Sequence, residues 1–143
     1  STAALHKLFL IVDAKPDVDE VEHPTALPTR GAIDVVDVTF SYETADRPAL
    51  RNVSISVADG ERLALVGPTG AGKSTLAKLM ARLYDPSMVD GSSGTVSFGG
   101  VDLRQSSMSD LRRRIVVVPQ EGFCFGGTIR ENVRIAIASA DLR

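Results

Sequence analysis

Leu63-Ala64-Leu65-Val66-Gly67-Pro68-Thr69-Gly70-Ala71-Gly72-Lys73-Ser74-Thr75 is the stretch on which the reading of this chain turns. The apolar run at its start reads as a buried strand. Leu76-Ala77-Lys78-Leu79-Met80-Ala81-Arg82-Leu83 follows it and reads as a helix. Between them, residues 67–75 fill every fixed position of the pattern Gly-x-x-x-x-Gly-Lys-Ser/Thr. Strand, glycine loop and helix in that order are the setting in which the pattern has physical meaning.

Each position has a job. Gly67, Gly70 and Gly72 permit backbone conformations that a side chain would forbid, and let the chain come close to a ligand. With Pro68, Thr69 and Ala71 they form a loop whose N–H groups can converge on phosphate oxygens. A helix starting near Gly72 or Lys73 points its unpaired N–H groups and positive dipole end the same way. Lys73 is expected to reach the β- and γ-phosphates, Ser74 to offer its hydroxyl to Mg²⁺, and Thr75 to add a phosphate contact. The bland alternative is a glycine-rich turn that binds nothing. The complete motif in its full setting weighs against it.

Composition narrows the field. A length of 143 residues suffices for one domain with a real core, and 43% apolar and 24% charged residues are ordinary for a soluble globular protein. The net charge of −2 gives no global affinity for nucleic acid or acidic lipid, and no nucleic-acid partner is expected. A single cysteine, Cys124, excludes an intrachain disulfide and fits a reducing compartment. Lying between Phe123 and Phe125, it reads as packed rather than reactive. Nothing resembles a signal peptide. The run Leu8-Phe9-Leu10-Ile11-Val12 is far too short to span a bilayer.

Residues 1–14 read as a helix with Leu5, Leu8, Phe9 and Val12 on one face, and 15–30, acidic and broken by Pro16, Pro24 and Pro28, as an extended linker. The domain proper is expected over 31–143. Ile33 to Phe40 suggests a first strand, and Asn52 to Val57 alternates as a half-buried one. Asp59-Gly60 makes a tight turn towards the strand before the glycine loop. Pro86 to Gly94 reads as loop, Thr95 to Phe98 as a short strand and Gly99-Gly100 as a turn. Ser107 to Arg114 reads as a short helix with Ser109 a candidate N-cap. The β-branched run Ile115-Val116-Val117-Val118 predicts a buried strand. Thr128 to Ala138 predicts a further helix. The Arg112-Arg113-Arg114 triplet reads as complementing a helix dipole and facing water.

The Ile115–Val118 run ends in Pro119-Gln120. Many phosphate-loop enzymes place an acidic magnesium ligand at such a strand end. A neutral amide there binds Mg²⁺ weakly and is a poor general base. Taken together, Val38-Thr39-Phe40-Ser41-Tyr42, the phosphate loop, Val117-Val118-Pro119-Gln120-Glu121 and Gly127-Thr128-Ile129-Arg130-Glu131-Asn132-Val133 resemble the nucleotide-binding domain of an ABC transporter. The last segment is similar to the exporter type, in which membrane and ATPase parts are usually fused. The likeness covers about residues 31–138.

The resemblance implies an α/β fold: a P-loop NTPase (RecA-like) core with an antiparallel β subdomain. It implies ATP and Mg²⁺ as cofactors. By it, Tyr42 would stack on adenine, and Gln120 would be the Q-loop glutamine that senses the γ-phosphate through Mg²⁺ and water, alongside Ser74 as metal ligand. Glu121 to Gly127 would touch the membrane domain. Residues 1–14 and the linker look like the tail of such a domain, in the same or a partner chain. A second ATP-binding domain would close an ATP sandwich, at the cytoplasmic face of the cell membrane.

Departures from the family pattern are part of the reading. No Leu-Ser-Gly-Gly-Gln signature, no apolar strand ending in Asp and then a catalytic Glu, and no switch His follow. His6 and His23 lie upstream and are expected in solvent, and Asp141 is a poor substitute strand end. The chain therefore looks like the N-terminal part of an exporter ATPase domain, incomplete at its C-terminus, with weak nucleotide binding and little turnover. Two copies would not complete the sandwich. A stand-alone, non-hydrolysing nucleotide-binding regulator is the alternative. A nucleotide kinase or GTPase is disfavoured, because no Asn-Lys-x-Asp motif or Arg-rich lid is present.

Overall fold

Val35 and Val38 lie three positions apart, so a flat strand would send them to opposite faces. In the computed structural model, which describes residues 18–19, 21–88, 93–118, 122 and 124–135, both are buried. Asp37 between them adopts φ +50°, and the pairing of β1 (Ile33–Phe40) with β2 (Leu50–Val57) shifts register there and again before Phe40. These irregularities turn the strand so that Val35, Val38 and Phe40 all reach the core. Side chains hold the distortion. The Asp37 N–H donates to Ser54 Oγ at 2.9 Å, and Thr39 Oγ1 accepts from the Asn52 N–H at 3.0 Å.

β1 also pairs with β3 (Thr95–Phe98), and β3 with β4 (Val101–Asp102), giving an antiparallel sheet in the order β2-β1-β3-β4. Helix α1 (Lys73–Met80) contributes Leu76 and Leu79 to the core, and α2 (Met108–Arg114) contributes Leu111. The spacing of the buried α1 residues puts them on one helical face. Ser107 caps α2 by accepting from the Asp110 N–H at 3.2 Å. Ser109, the expected cap, lies inside the first turn instead, because a cap must precede the helical residues whose N–H groups it serves. α3 runs Ile129–Ile135 and opens on a reciprocal capping box. Thr128 Oγ1 accepts from the Glu131 N–H at 3.2 Å, and Glu131 Oε2 accepts from the Thr128 N–H at 2.7 Å. Asn132 closes the preceding loop by bonding both the N–H and the carbonyl of Phe125.

Two expected strands are not strands in this structure. Leu63–Val66 and Ile115–Val118 carry neither helix nor strand pairing, and Val66 and Val118 are 90% and 86% exposed. A run apolar on both faces becomes a strand only where neighbours pair with its backbone and layers cover both sides. The four described strands pair with one another instead. Cys124 is exposed, not packed, since residues 122 and 124–131 carry no buried side chain around it. His23 is exposed, as expected. The expected N-terminal helix, most of the 90–94 loop, Pro119-Gln120-Glu121 and the 136–143 segment with Asp141 lie outside the described residues. Among the described residues no helix is long and apolar enough to cross a membrane.

Arg82 ends α1 in an unusual way. Its N–H donates to the Leu79 carbonyl at 2.9 Å and the Leu83 N–H to the Lys78 carbonyl at 2.9 Å, a Schellman ending. That ending usually has glycine where Arg82 sits, at φ +47°. The side chain supplies the reason for an arginine. Only 3% exposed, Arg82 donates to the Ser106 carbonyl at 3.2 Å, to Asp85 Oδ1 at 3.2 Å and to the Asp19 carbonyl at 2.9 Å. It thus ties the helix end to the stretch before α2 and to the N-terminal approach. That approach is fixed at two more points. The Thr25 N–H donates to the Gln105 carbonyl, and buried Leu27 donates its N–H to Asp110 Oδ2, both at 2.7 Å.

Asp102 and Arg104 form the other strong polar pair, at 2.6 Å. Burial pushes the Asp102 carboxyl up, but hydrogen bonds from the Arg104 side chain and backbone, with the charges of Arg104 and Arg82, outweigh it and hold the group below its ordinary value. The stability it adds is present above the unfolded carboxylate value and is lost as pH falls through the lowered folded value. Asp102→Asn should therefore flatten the acid limb of a stability-versus-pH curve measured by chemical denaturation. In the same assay Arg82→Ala should lose roughly 2–4 kcal/mol, chiefly through the buried Ser106 carbonyl and the Asp85 carboxylate it leaves without a partner. Arg82→Gly should lose about 1 kcal/mol less, because the left-handed backbone is then unstrained.

Candidate functional site

The glycine loop folds back on the end of the β1–β2 hairpin where residues 41–49 connect its strands. Gly72 sits at φ +84° as the residue before α1. A Cβ there would meet the Ala49 carbonyl oxygen and Leu50 Cδ2, each at 2.7 Å. Glycine at 72 is required twice over, by conformation and by space. Gly70, at φ +85°, has open space around its Cβ direction and is required by conformation alone.

This approach leaves an open cleft of about 270 Å³, lined by Tyr42 and Ala49 on one side and by Gly70, Ala71, Gly72, Lys73, Ser74 and Thr75 on the other. The Lys73 ammonium donates to the carbonyls of Gly67 and Pro68, both at 2.8 Å, so it lies folded across its own loop. No acidic residue stands in the first turn of α1. The helix N-terminus and Lys73 therefore make this end of the cavity positive. Tyr42 is held in place by aromatic edges. Phe40 lies 4.9 Å and Tyr84 5.5 Å from it between ring centroids, each at an interplanar angle of 88°. Its hydroxyl is 3.1 Å from Thr75 Oγ1. Lys78 Nζ sits 5.8 Å from the ring centroids of both Tyr42 and Tyr84.

Of the residues singled out from the sequence, Tyr42 and residues 70–75 converge on one cavity, although Tyr42 is far from the loop in the chain. Gly67 and Pro68 join through Lys73, while Thr69 does not line the cavity. Gln120 lies outside the described residues. Ala49 and Lys78 were not anticipated. Ala49 carries no chemistry that a sequence advertises. Lys78 lies three residues after Thr75 on α1, a spacing that puts both on one side of the helix.

Substitution separates the two glycines. Gly72→Ala should destabilise the fold by clearly more than Gly70→Ala, for which the left-handed backbone alone costs roughly 1–2 kcal/mol. Denaturant unfolding of the two variants side by side measures the difference.

Known proteins resemble this chain over most of its length. A family model described as ABC transporter matches residues 50–142. The ATP-dependent lipid A-core flippase of Photobacterium profundum is 42% identical over 139 residues, 97% of this chain and 22% of the flippase. A beta-(1→2)glucan export ATP-binding/permease protein of Nitrobacter winogradskyi is 43% identical over 92% of this chain and 21% of its own length. A multidrug efflux ATP-binding/permease protein of Mycobacterium bovis is 41% identical over 89% of this chain and 10% of its own. The chain thus spans about a fifth or less of the length of these relatives. Among solved structures, a bacterial Atm1-family ABC exporter with ATP bound superposes with TM-score 0.76 and 34% identity, over 94% of this chain and 23% of that one. The antiparallel sheet and the helix after the glycine loop are therefore parts of the P-loop ABC ATPase fold, and the chain belongs to the ABC transporter family.

Proposed function

We propose that this chain is the ATP-binding part of an ABC exporter that couples ATP binding and hydrolysis to transport across a membrane. The observation that carries the reading is the single cavity shared by the Tyr42 ring, the loop backbone and Lys73. The residues suit a magnesium nucleotide. The N-terminus of α1, backed by a lysine, favours a polyanion, and the exposed Ser74 hydroxyl is a hard oxygen donor of the kind Mg²⁺ takes. Ser74 and Gln120 would hold Mg²⁺, which would supply positive charge against the phosphates.

In this reading Lys73 exchanges its bonds to the Gly67 and Pro68 carbonyls for phosphate oxygens. Gly70 and residues 72–75 offer backbone N–H groups to the phosphates, and Tyr42 offers a flat face to adenine. Gln120 senses the γ-phosphate. Water attack on that phosphate needs a positioning group and a closing partner surface. We assign these to a second ATP-binding domain and to acidic and histidine residues outside this sequence, so the 143 residues alone should turn ATP over slowly or not at all. Residues 1–14 and 15–30 are assigned to the end of a membrane domain and its linker, and the ATPase part to the cytoplasmic side of the membrane.

Calorimetric titration of the full chain with Mg-ATP should show saturable uptake. Lys73→Ala should weaken it by at least tenfold, given a charged hydrogen bond worth roughly 1.5–3 kcal/mol. Equal affinity in the wild type and the variant would refute the assignment of this cavity. Rapid turnover by the isolated chain would refute the division of labour, and support for a stand-alone regulator would come from uptake with no turnover even beside a partner domain.

A further inference from the structure

We propose that Tyr42 is also a positioning residue for the phosphate end of the ligand, acting through the hydroxyl of Thr75; this rests on the ATP-binding reading above. The Tyr42 hydroxyl is 3.1 Å from Thr75 Oγ1. Thr75 stands in the first turn of α1, directly after Lys73 and Ser74, is 6% exposed, and lines the same cavity. The partnership is rigid from the tyrosine side. Phe40, itself buried, and Tyr84 both set their rings perpendicular to Tyr42, which fixes where its hydroxyl points.

The direction of the bond follows from chemistry. A phenol is a better donor than an aliphatic alcohol, so Tyr42 donates and Thr75 accepts. A helical threonine with no such partner tends to turn its hydroxyl hydrogen back to the carbonyl four residues earlier. With one lone pair engaged by Tyr42, Thr75 is oriented to give its hydrogen to an acceptor in the cavity. A phosphate oxygen there completes a chain running from the Tyr42 O–H to Thr75 Oγ1 and on to the anion. Successive hydrogen bonds polarise one another, and the last, to an anion, is charge-assisted. One side chain then serves two subsites: its ring faces the base, and its hydroxyl sets a phosphate donor. An aromatic residue at position 42 that lacks the hydroxyl keeps the first role and loses the second.

The test uses a probe with no base. Inorganic tripolyphosphate with magnesium, and Mg-ATP separately, are titrated calorimetrically into the full chain and its variants, with circular dichroism confirming each fold. Tyr42→Phe should weaken tripolyphosphate about three- to tenfold and Mg-ATP by a similar factor, the loss of one net hydrogen bond. Thr75→Val should do the same, the double variant should be no weaker than either alone, and Thr75→Ser should restore wild-type affinity. A stacking role alone leaves tripolyphosphate unmoved. Unchanged tripolyphosphate affinity in Tyr42→Phe, additive losses in the double variant, or uptake of ATP without tripolyphosphate by the wild type would each overturn this inference and leave the ATP-binding reading standing. Uptake of neither probe by the wild type would overturn both. Should Thr75→Val not fold, Tyr42→Phe with Thr75→Ser still decides.

Discussion

The constraint on which the site depends is the passage of Gly72 against Ala49 and Leu50, where no side-chain carbon fits. It sets how far the glycine loop can sit from the β1–β2 hairpin, and therefore whether Tyr42 and the start of α1 share a cavity. Left-handed backbone at Gly70 and Gly72 lets the chain make that approach and still enter a helix at Lys73. Everything chemical in the site depends on this geometry. The ring of Tyr42 acquires a phosphate loop opposite it, and Lys73 acquires loop carbonyls to rest on until an anion competes.

Around the site the polar side chains hold the fold in shape more than they carry charge. Arg82 accepts a strained backbone and fastens three segments with one guanidinium. Asp37, Thr39, Asn52 and Ser54 hold the irregular register of β1 against β2, which lets Val35 and Val38 enter one core. The capping box of Thr128 and Glu131 and the clasp of Asn132 on Phe125 give a physical reason for the residues that carry the family likeness at 127–133.

The exposed Leu63–Val66 and Val116–Val118 runs are the other side of the same physics. Their composition is that of central strands, and composition of this kind reports the environment a strand needs on both faces. The chain spans about a fifth or less of the relatives it matches, and its described sheet is the antiparallel part of the fold. Apolar surface on this scale is an aggregation hazard where it stays uncovered.

By itself the sequence determined the elements whose signals are local. The glycine loop was legible because its spacing is chemical, β2 because Val53, Ile55 and Val57 alternate, and the turns at Gly60 and Gly99-Gly100 because positive φ favours glycine. Tyr42 was legible only through the likeness of several segments together. Tertiary structure decided what depends on distant partners. It made Ser107 and not Ser109 the cap, gave Arg82 its three tethers, and brought Ala49, Lys78 and the hydroxyl of Thr75 to Tyr42. It also left two β-branched or apolar runs unpaired. A backbone preference is written in neighbouring residues, whereas burial, register and hydrogen-bond partnership are settled by residues far off in the chain.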